Sequence, residues 1–265
     1  MIKTICFKLG MFFMIFNSFD LCSSISTPFA NEVKAVIFDC DGVLVDTEHL
    51  KFLAWQKALA SVGIELSIEE YKKVAGHSSK KIHEILEEMK HLDIPEEVIY
   101  LRRVKYQELQ AQGVPSIKDT MEFAYHLSQN KDVLGIKLGV ASSASRNEIL
   151  FNLKQIGFAP ESFDLIISGS DDLEGYTDDD GTNKPKPYIY LEASKRLNTP
   201  PEHCLVFEDT ESGIEAAVRA GMIAIAIPNW MTKGQDFSKA NKLINSILEL
   251  STQHSDNFQN IVRVK

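Results

Sequence analysis

The stretch FDCDGVLVDTE at residues 38–48 decides the fold of this 265-residue chain. It ends an apolar run that is typical of a buried strand, and Asp39 and Asp41 lie where that strand ends. Carboxylates at positions i and i+2 of an extended chain can point to the same side, and Gly42 allows a sharp turn directly after them. The pattern therefore predicts a buried strand that delivers two carboxylates to one edge of a sheet.

The remainder of the chain alternates short apolar runs with helical patterns. The runs rich in Val and Ile have the length of buried strands: Val33–Phe38, Ile136–Ala141, Phe163–Ser168, Cys204–Phe207 and Ile223–Ile227. The helical patterns between the later runs are bounded by glycine or begin at proline: Arg146–Ile156, Pro187–Leu197 and Glu211–Ala220. This alternation predicts an α/β fold with a parallel sheet that is covered on both faces.

About a hundred residues separate the first two predicted strands, far more than one crossover requires. Five helical patterns lie there: Glu48–Val62, Ile68–Val74, Lys80–Met89, Glu96–Gln110 and Lys118–Gln129. We expect the first four to form a helical cap at 48–117, inserted into an α/β core of residues 31–47 and 118–250. Ligands of open α/β sheets bind at the carboxyl ends of the strands, so an insert at this point would cover the site.

Polar side chains follow four of the predicted strands. In chain order they are Asp39 with Asp41, Ser142, Lys184, and Glu208 with Asp209. Clustered carboxylates repel one another unless a cation neutralises them, and an all-oxygen ligand set suits Mg²⁺. A lysine and a serine beside such a cation suit a phosphate group. Together these residues predict a Mg²⁺–phosphate site with a carboxylate as nucleophile or base.

Each of these motifs alone has a plain structural interpretation. Asp-x-Asp is commonly a turn, Glu-Asp a helix start and Lys-Pro a loop. However, Asp-x-Asp-Gly followed by Val or Thr and then Leu or Ile arises by chance in only ~10⁻³ of chains of this length. The combination therefore favours the site over coincidence.

The chain resembles the haloacid dehalogenase (HAD) superfamily, in the branch whose helical cap follows the first strand. Within it, the chain is most similar to the CbbY, β-phosphoglucomutase and phosphoglycolate phosphatase relatives. The matching stretches appear in family order within about 33–250: FDCDGVLVDTE (38–48), VASSAS (140–145), KPKPYIYL (184–191) and VFEDTESGIEAAVRAGM (206–222). The resemblance implies a HAD-like Rossmannoid core and a phosphoric monoester hydrolase.

The resemblance also assigns a mechanism to residues of this chain. It implies hydrolysis through an aspartyl phosphate on Asp39, with Asp41 acting first as general acid and then as general base. It implies that Ser142 and Lys184 bind the phosphoryl oxygens. The presence of Asp41 argues against a true dehalogenase, which lacks that second carboxylate.

A Mg²⁺ cofactor is implied in the same way. Asp39, the backbone carbonyl of Asp41, and Asp209 would hold the ion, with Glu208 as a further ligand or a supporting contact. Catalysis of this kind depends mostly on positioning and charge neutralisation.

The substrate of similar proteins is recognised by a loop between the first cap helices. That loop corresponds to 76–81, where Gly76, His77 and Lys80 are the candidate substrate contacts, and a solvated helix start is the alternative. Similar phosphomutases carry an arginine in this loop and a histidine at the position of Lys51, and this chain has neither. These differences favour a phosphatase over the alternative of a β-phosphoglucomutase-type phosphosugar isomerase. We expect its substrate to be a small organic phosphate, such as a sugar phosphate.

Composition limits the partners. The chain is 44% hydrophobic and 25% charged, as globular proteins are, and its net charge is -9 at pH 7. So acidic a chain is a poor binder of nucleic acid or anionic membranes. We expect a small phosphorylated metabolite as its partner, no stable membrane span and a monomer. Cys40 and Cys204 are predicted to be small buried hydrophobic residues, and the acidic stretch 170–183 a solvated surface loop.

Residues 1–30 differ from the rest of the chain. Two lysines precede a short apolar run and a Ser-rich stretch, the layout of a secretory signal, although the run is far too short to span a bilayer. A start codon placed too early, with Met11 or Met14 as the true start, is the alternative. The cytoplasm is the favoured location, and export or a periplasmic location follows if 1–30 is a signal peptide. Residues 251–265 are predicted to be a tail.

Overall fold

The computed structural model describes residues 33–75, 79–179 and 181–252. The strands in these ranges are β1 (Ala35–Phe38), β2 (Lys137–Ser142), β3 (Leu165–Ser168), β4 (Cys204–Glu208), β5 (Ile223–Ala226) and β6 (Lys242–Leu243). The α-helices are α1 (Thr47–Ala60), α2 (Ile68–Lys72), α3 (Ser79–Lys90), α4 (Glu97–Gln112), α5 (Lys118–Leu134), α6 (Arg146–Gln155), α7 (Tyr188–Leu197), α8 (Glu211–Arg219) and α9 (Leu248–Thr252).

The six strands form one parallel sheet in the order β3-β2-β1-β4-β5-β6. β1 lies at the centre, and its last residue, Phe38, pairs with Val140 of β2 and Phe207 of β4. The carboxyl ends of these three strands therefore meet at one edge. The sheet and its helices confirm the predicted α/β fold.

Alternate residues of β1 serve two hydrophobic cores. Val36 and Phe38 belong to the core shared with α5 and α6, whereas Ala35 and Ile37 belong to the core shared with α7 and α8. Fully burying an aliphatic or aromatic side chain stabilises the folded state by about 1.5–3 kcal/mol relative to leaving it exposed. Burial on both faces explains why the strands are continuous apolar runs rather than alternating ones.

The helices α1–α4, called the helical insert below, have a hydrophobic core of their own. Trp55 and Tyr71 are among its buried residues. The chain enters and leaves the insert at one place, because the two connecting segments are hydrogen-bonded side by side, with Asp46 N donating to Pro115 O at 2.8 Å. Both connections leave the core just beyond the carboxyl end of β1.

Some details differ from the predictions. β6 was not predicted, because a two-residue strand has too few positions to show a pattern. α5 continues to Leu134, five residues beyond its predicted end, and Gly135 closes it in the left-handed conformation with φ 65°. Cys40 and Cys204 are buried and unpaired, as predicted.

The acidic stretch 170–183 is exposed over much of its length, but two of its residues are held against the rest of the protein. Asp172 forms an ion pair of 2.6 Å with Arg146 and a second of 3.2 Å with Arg196, and the neighbouring Leu173 is buried. The stretch is therefore a surface loop attached to α6 and α7 rather than one that is solvated throughout.

The predicted leader at 1–30 and all but the first two residues of the predicted tail lie outside the described residues. Of the helices that the structure describes, none combines the length and the apolar character needed to cross a membrane.

Candidate active site

The ends of β1, β2 and β4 bring predicted site residues together. Asp39 directly follows β1, Ser142 is the last residue of β2, and Glu208 is the last residue of β4. The backbone N–H of Asp39 donates to Phe207 O at 3.0 Å, which extends the contact between β1 and β4 by one residue. All three polar side chains are buried, at no more than 5% exposure. Groups buried in this way must be hydrogen-bonded or neutralised.

Lys184 reaches the same edge from the loop before α7. Its Nζ donates to Asp39 Oδ1 at 2.6 Å and to Glu208 Oε1 at 2.5 Å, and its side chain is 8% exposed. The hydroxyl of Tyr190, on α7, donates to the same Glu208 oxygen at 2.6 Å. One ammonium group therefore bridges two buried carboxylates.

The pKa values at this edge show a deficit of positive charge. Burial raises the pKa of Asp39 to about 8, against the opposing effect of Lys184, and the charges of Glu208 and Asp41 add to the rise. Burial also raises the pKa of Asp209 well above its usual value. Burial alone would lower the pKa of Lys184, but Asp39 and Glu208 outweigh it and hold that pKa above its ordinary range. A second cation would relieve the cluster.

Three buried carboxylates offer oxygens to one such cation. Asp39, Glu208 and Asp209 each contribute an oxygen that lies within 4.8 Å of the other two. Among the described residues, Asp209 Oδ1 is one of the few buried side-chain oxygens or nitrogens without a hydrogen-bond partner. Because an unpaired buried carboxylate oxygen is costly and all-oxygen sites suit hard cations, this donor set fits a divalent metal ion.

Glu208 differs from Asp209 because both of its oxygens are occupied. Oε1 accepts from the lysine and tyrosine described above, and Oε2 accepts from Asp209 N and Thr210 Oγ1, each at 3.2 Å. Gly213 leaves room for this carboxyl group, since a Cβ there would lie 2.0 Å from Glu208 Cδ. Glu208 therefore stabilises the cluster of charged groups through its hydrogen bonds, whereas Asp209 keeps one oxygen without a hydrogen bond.

Asp41 shares the edge with Asp39 but has different partners. Thr47, the first residue of α1, donates to Asp41 Oδ1 at 2.6 Å, and Ser142 Oγ donates to Asp41 Oδ2 at 3.1 Å. Asp41 is half-buried. Two carboxylates two positions apart are thus held in separate environments, one beside a buried ammonium and one beside two hydroxyls.

The helical insert carries further charged groups close to this site. Lys51 on α1 donates to Glu48 at 2.7 Å. Burial opposes its charge, but Glu48 and Asp41 raise the pKa of Lys51 well above its usual value. Tyr106 on α4 donates to Glu148 Oε1 on α6 at 2.9 Å, which fastens the insert to the core.

Of the three predicted substrate contacts in the cap, the structure describes one. Gly76 and His77 lie outside the described residues. Lys80 is exposed near the start of α3 and lines a cavity of about 420 Å³ with His83 and Glu87, all within the helical insert. Its contact with a substrate remains a prediction.

Sequence patterns did not predict Asn229. It follows β5, and its side-chain amide donates to Asp209 Oδ2 at 2.7 Å. The signal was present, since Asn229 is the first polar residue after the fifth predicted strand, separated from it by Pro228. The same rule had located Asp39 and Glu208.

Comparison with known proteins places this arrangement in a family. The family model of haloacid dehalogenase-like hydrolases matches residues 33–221, which include every charged site residue at the sheet edge. YhcW of Bacillus subtilis is 35% identical over 221 residues, spanning 82% of this chain and 94% of that protein. The phosphorylated carbohydrates phosphatase of Thermotoga maritima is 32% identical over 196 residues, spanning 72% and 82% of the two chains.

A solved structure agrees with these matches. CbbY from Rhodobacter sphaeroides, crystallised with phosphate, superposes with a TM-score of 0.65 at 27% identity, covering 82% of this chain and 96% of that one. A mutant of the same protein was crystallised with xylulose-1,5-bisphosphate.

Proposed function

This chain belongs to the haloacid dehalogenase-like hydrolases, and we propose that it is a Mg²⁺-dependent phosphatase of small organic phosphates. Sugar phosphates are the leading substrate class, because one relative is a phosphatase of phosphorylated carbohydrates. The observation that carries the proposal is the buried pair of Asp39 and Lys184 beside a second carboxylate, Asp41, with its own partners. A nucleophile and a separate acid–base group are what a two-step phosphoryl transfer needs.

In the first step, an Asp39 carboxylate oxygen attacks phosphorus while the bond to the ester oxygen breaks. Asp41 gives its proton to the departing oxygen, so the alcohol leaves and an aspartyl phosphate remains. In the second step, Asp41 takes a proton from the water that attacks phosphorus, which releases phosphate and restores Asp39. Ser142 and Lys184 hold the phosphoryl oxygens during both steps, as positioning dominates this chemistry.

The proposed metal ligands are Asp39, Asp209 and the backbone carbonyl of Asp41, with Glu208 in support. The free Oδ1 of Asp209 and the closeness of the three buried carboxylates favour this assignment. A bound Mg²⁺ supplies positive charge that lowers the repulsion between the carboxylates and the phosphate. Its charge would also lower the pKa of Asp39 and keep that nucleophile ionised at neutral pH.

The helical insert is proposed to act as a cap at 48–117 over a core of 31–47 and 118–250. Two observations support it: the insert has a core of its own, and both its connections lie beside the carboxyl end of β1. Gly76, His77 and Lys80 are retained as proposed contacts to the leaving group. A small phosphorylated metabolite fits between such a cap and the sheet edge, and a monomer suffices for this arrangement.

The decisive experiment is Asp39→Asn, assayed for phosphate release from a panel of sugar phosphates with Mg²⁺. Loss of the nucleophile should lower kcat/KM by at least about 10³-fold. Asp236→Asn, on an exposed turn, is the matched control and should retain wild-type activity. Undiminished hydrolysis by the Asp39 variant would refute the proposed function.

Two other functions make different predictions in the same assay. A phosphosugar isomerase would convert β-glucose 1-phosphate into glucose 6-phosphate, whereas the proposed phosphatase releases free phosphate. A phosphate-binding protein without turnover would bind the sugar phosphate and release nothing. Steady phosphate release under excess substrate distinguishes the phosphatase from both.

A further inference from the structure

Asn229 contacts the proposed metal site from the loop that follows β5. Its Nδ2 donates to Asp209 Oδ2 at 2.7 Å and lies 3.5 Å from the carbonyl oxygen of Gly42. Asp209 is 2% exposed, so solvent does not compete for this hydrogen bond. The contact joins residues that are 20 positions apart in the chain.

The loop itself determines which way the amide faces. Asn229 Oδ1 accepts from the backbone N–H of Met231 at 2.8 Å and from that of Thr232 at 3.2 Å. Backbone N–H groups can only donate, so the carbonyl oxygen of the amide must face them. The NH₂ group is therefore the part that faces Asp209.

The loop contacts both the segment that leads into the helical insert and the insert itself. Trp230 Nε1 donates to Asp46 Oδ2 at 3.2 Å, and Met231 packs against the hydrophobic core of the insert. Asn229 thus belongs to a segment that its neighbours hold in place. A side chain that positions another needs such support.

The consequence for Asp209 is an unequal pair of oxygens. Oδ2 is engaged by Asn229 and lies close to Gly42, where a Cβ would come within 2.2 Å of it. Oδ1 is buried and, among the described residues, has no hydrogen-bond partner. Oδ1 is therefore wholly free to bind a metal ion, whereas one of the two lone pairs of Oδ2 already accepts a hydrogen bond.

We infer that Asn229 is a positioning residue that restricts Asp209 to one metal-binding oxygen and thereby favours Mg²⁺ over Ca²⁺. This inference rests on the metal site of the proposed function. Mg²⁺ is small, demands near-octahedral geometry and is bound through few carboxylate oxygens, whereas Ca²⁺ takes six to eight oxygens and accepts bidentate carboxylates. An amide that donates to Oδ2 competes with Ca²⁺ for the second oxygen that a bidentate carboxylate would provide.

The test is Asn229→Leu in the full chain, with Mg²⁺ and Ca²⁺ binding measured separately by calorimetry without substrate. Removing a hydrogen bond to a ligating carboxylate typically costs 10- to 100-fold in metal affinity. We expect at least a tenfold loss for Mg²⁺ and a smaller loss or a gain for Ca²⁺, so that the ratio of the two dissociation constants shifts toward Ca²⁺. Asn241→Leu is the matched control, because Asn241 accepts from Ala224 N at the other end of β5. It should leave both affinities within about twofold.

A second variant separates metal selectivity from the folding of the loop. Asn229→Asp keeps the oxygen that accepts from Met231 and Thr232 but loses the donor toward Asp209. It should shift the same ratio toward Ca²⁺ even if the leucine variant does not fold. An unchanged ratio in the aspartate variant, or an equal loss for both cations in the leucine variant, overturns the inference. Wild-type protein that binds neither cation instead overturns the metal site, and with it the proposed cofactor.

Discussion

The carboxyl edge of the sheet and the helical insert handle charge in opposite ways. At the edge, Lys184, Asp39 and Glu208 have side chains no more than 8% exposed and are joined by short hydrogen bonds. In the insert, the core is apolar and aromatic, and ion pairs such as Lys72–Glu69 lie on its surface. Exposed pairs contribute little to stability, whereas buried charges are costly unless they are compensated.

The difference separates two tasks. Buried and mutually dependent charges at the edge suit the phosphoryl transfer that we propose for it. Because the insert has a hydrophobic core of its own, its surface residues can change without disturbing that chemistry. The following predictions change one side of this comparison at a time.

The largest effect is expected at the edge itself. Lys184→Met leaves Asp39 and Glu208 buried without their ammonium, which should lower the free energy of unfolding of the metal-free protein by about 3–5 kcal/mol. Urea denaturation followed by circular dichroism measures this change.

Lys186→Met is the matched control for that substitution. Lys186 pairs with Asp178 at 2.8 Å, but its side chain is 28% exposed. Its loss should cost about 1 kcal/mol or less. Equal destabilisation by the two variants would show that burial does not determine the cost of losing a paired ammonium group.

A smaller effect is expected at the contact between the insert and the core. Tyr106→Phe removes the hydrogen bond to Glu148 and should lower the free energy of unfolding by about 1.5 kcal/mol. Tyr125→Phe, on an exposed position of α5, should change stability by less than about 0.5 kcal/mol. If the Tyr106 variant is as stable as the wild type, this contact does not fasten the insert.

The smallest effect is expected within the insert and depends on pH. Glu70 accepts from Lys90 and Ser67, which lower its pKa to about 2. Because the folded pKa lies below the unfolded value of 4.5, the stabilisation is present above pH 4.5 and is lost as the pH falls toward 2.

Glu70→Gln should therefore cost about 1 kcal/mol at pH 7 and progressively less on acidification below pH 4.5. Denaturation curves of both proteins at pH 7, 4.5 and 3 measure the difference. Glu69→Gln is the control, since Glu69 is 73% exposed and pairs with Lys72 at 2.8 Å on the surface of the insert. A difference for Glu70→Gln that does not shrink below pH 4.5 would contradict this account.

Much of the fold followed from local patterns. The five longer strands were predicted because burial on both faces makes each of them a continuous apolar run. The end of α5 at Leu134 and the existence of β6 were not predicted, because Gly135 ends the helix through its left-handed backbone conformation and β6 is only two residues long. Neither feature has a periodicity to detect.

The sequence by itself determined which groups meet at the sheet edge. Parallel strands end on the same side, so Asp39, Ser142 and Glu208 had to converge once their strands were identified. The types of these residues already indicated a phosphate and a cation.

Only the tertiary structure decided how those groups pair. Lys184 lies 145 positions from Asp39, and Asn229 donates to one oxygen of Asp209 from the loop that follows β5. Such contacts depend on the packing of loops between distant strands. Strand and helix periodicities reflect which face of an element is buried, and they carry no information about which donor reaches which oxygen.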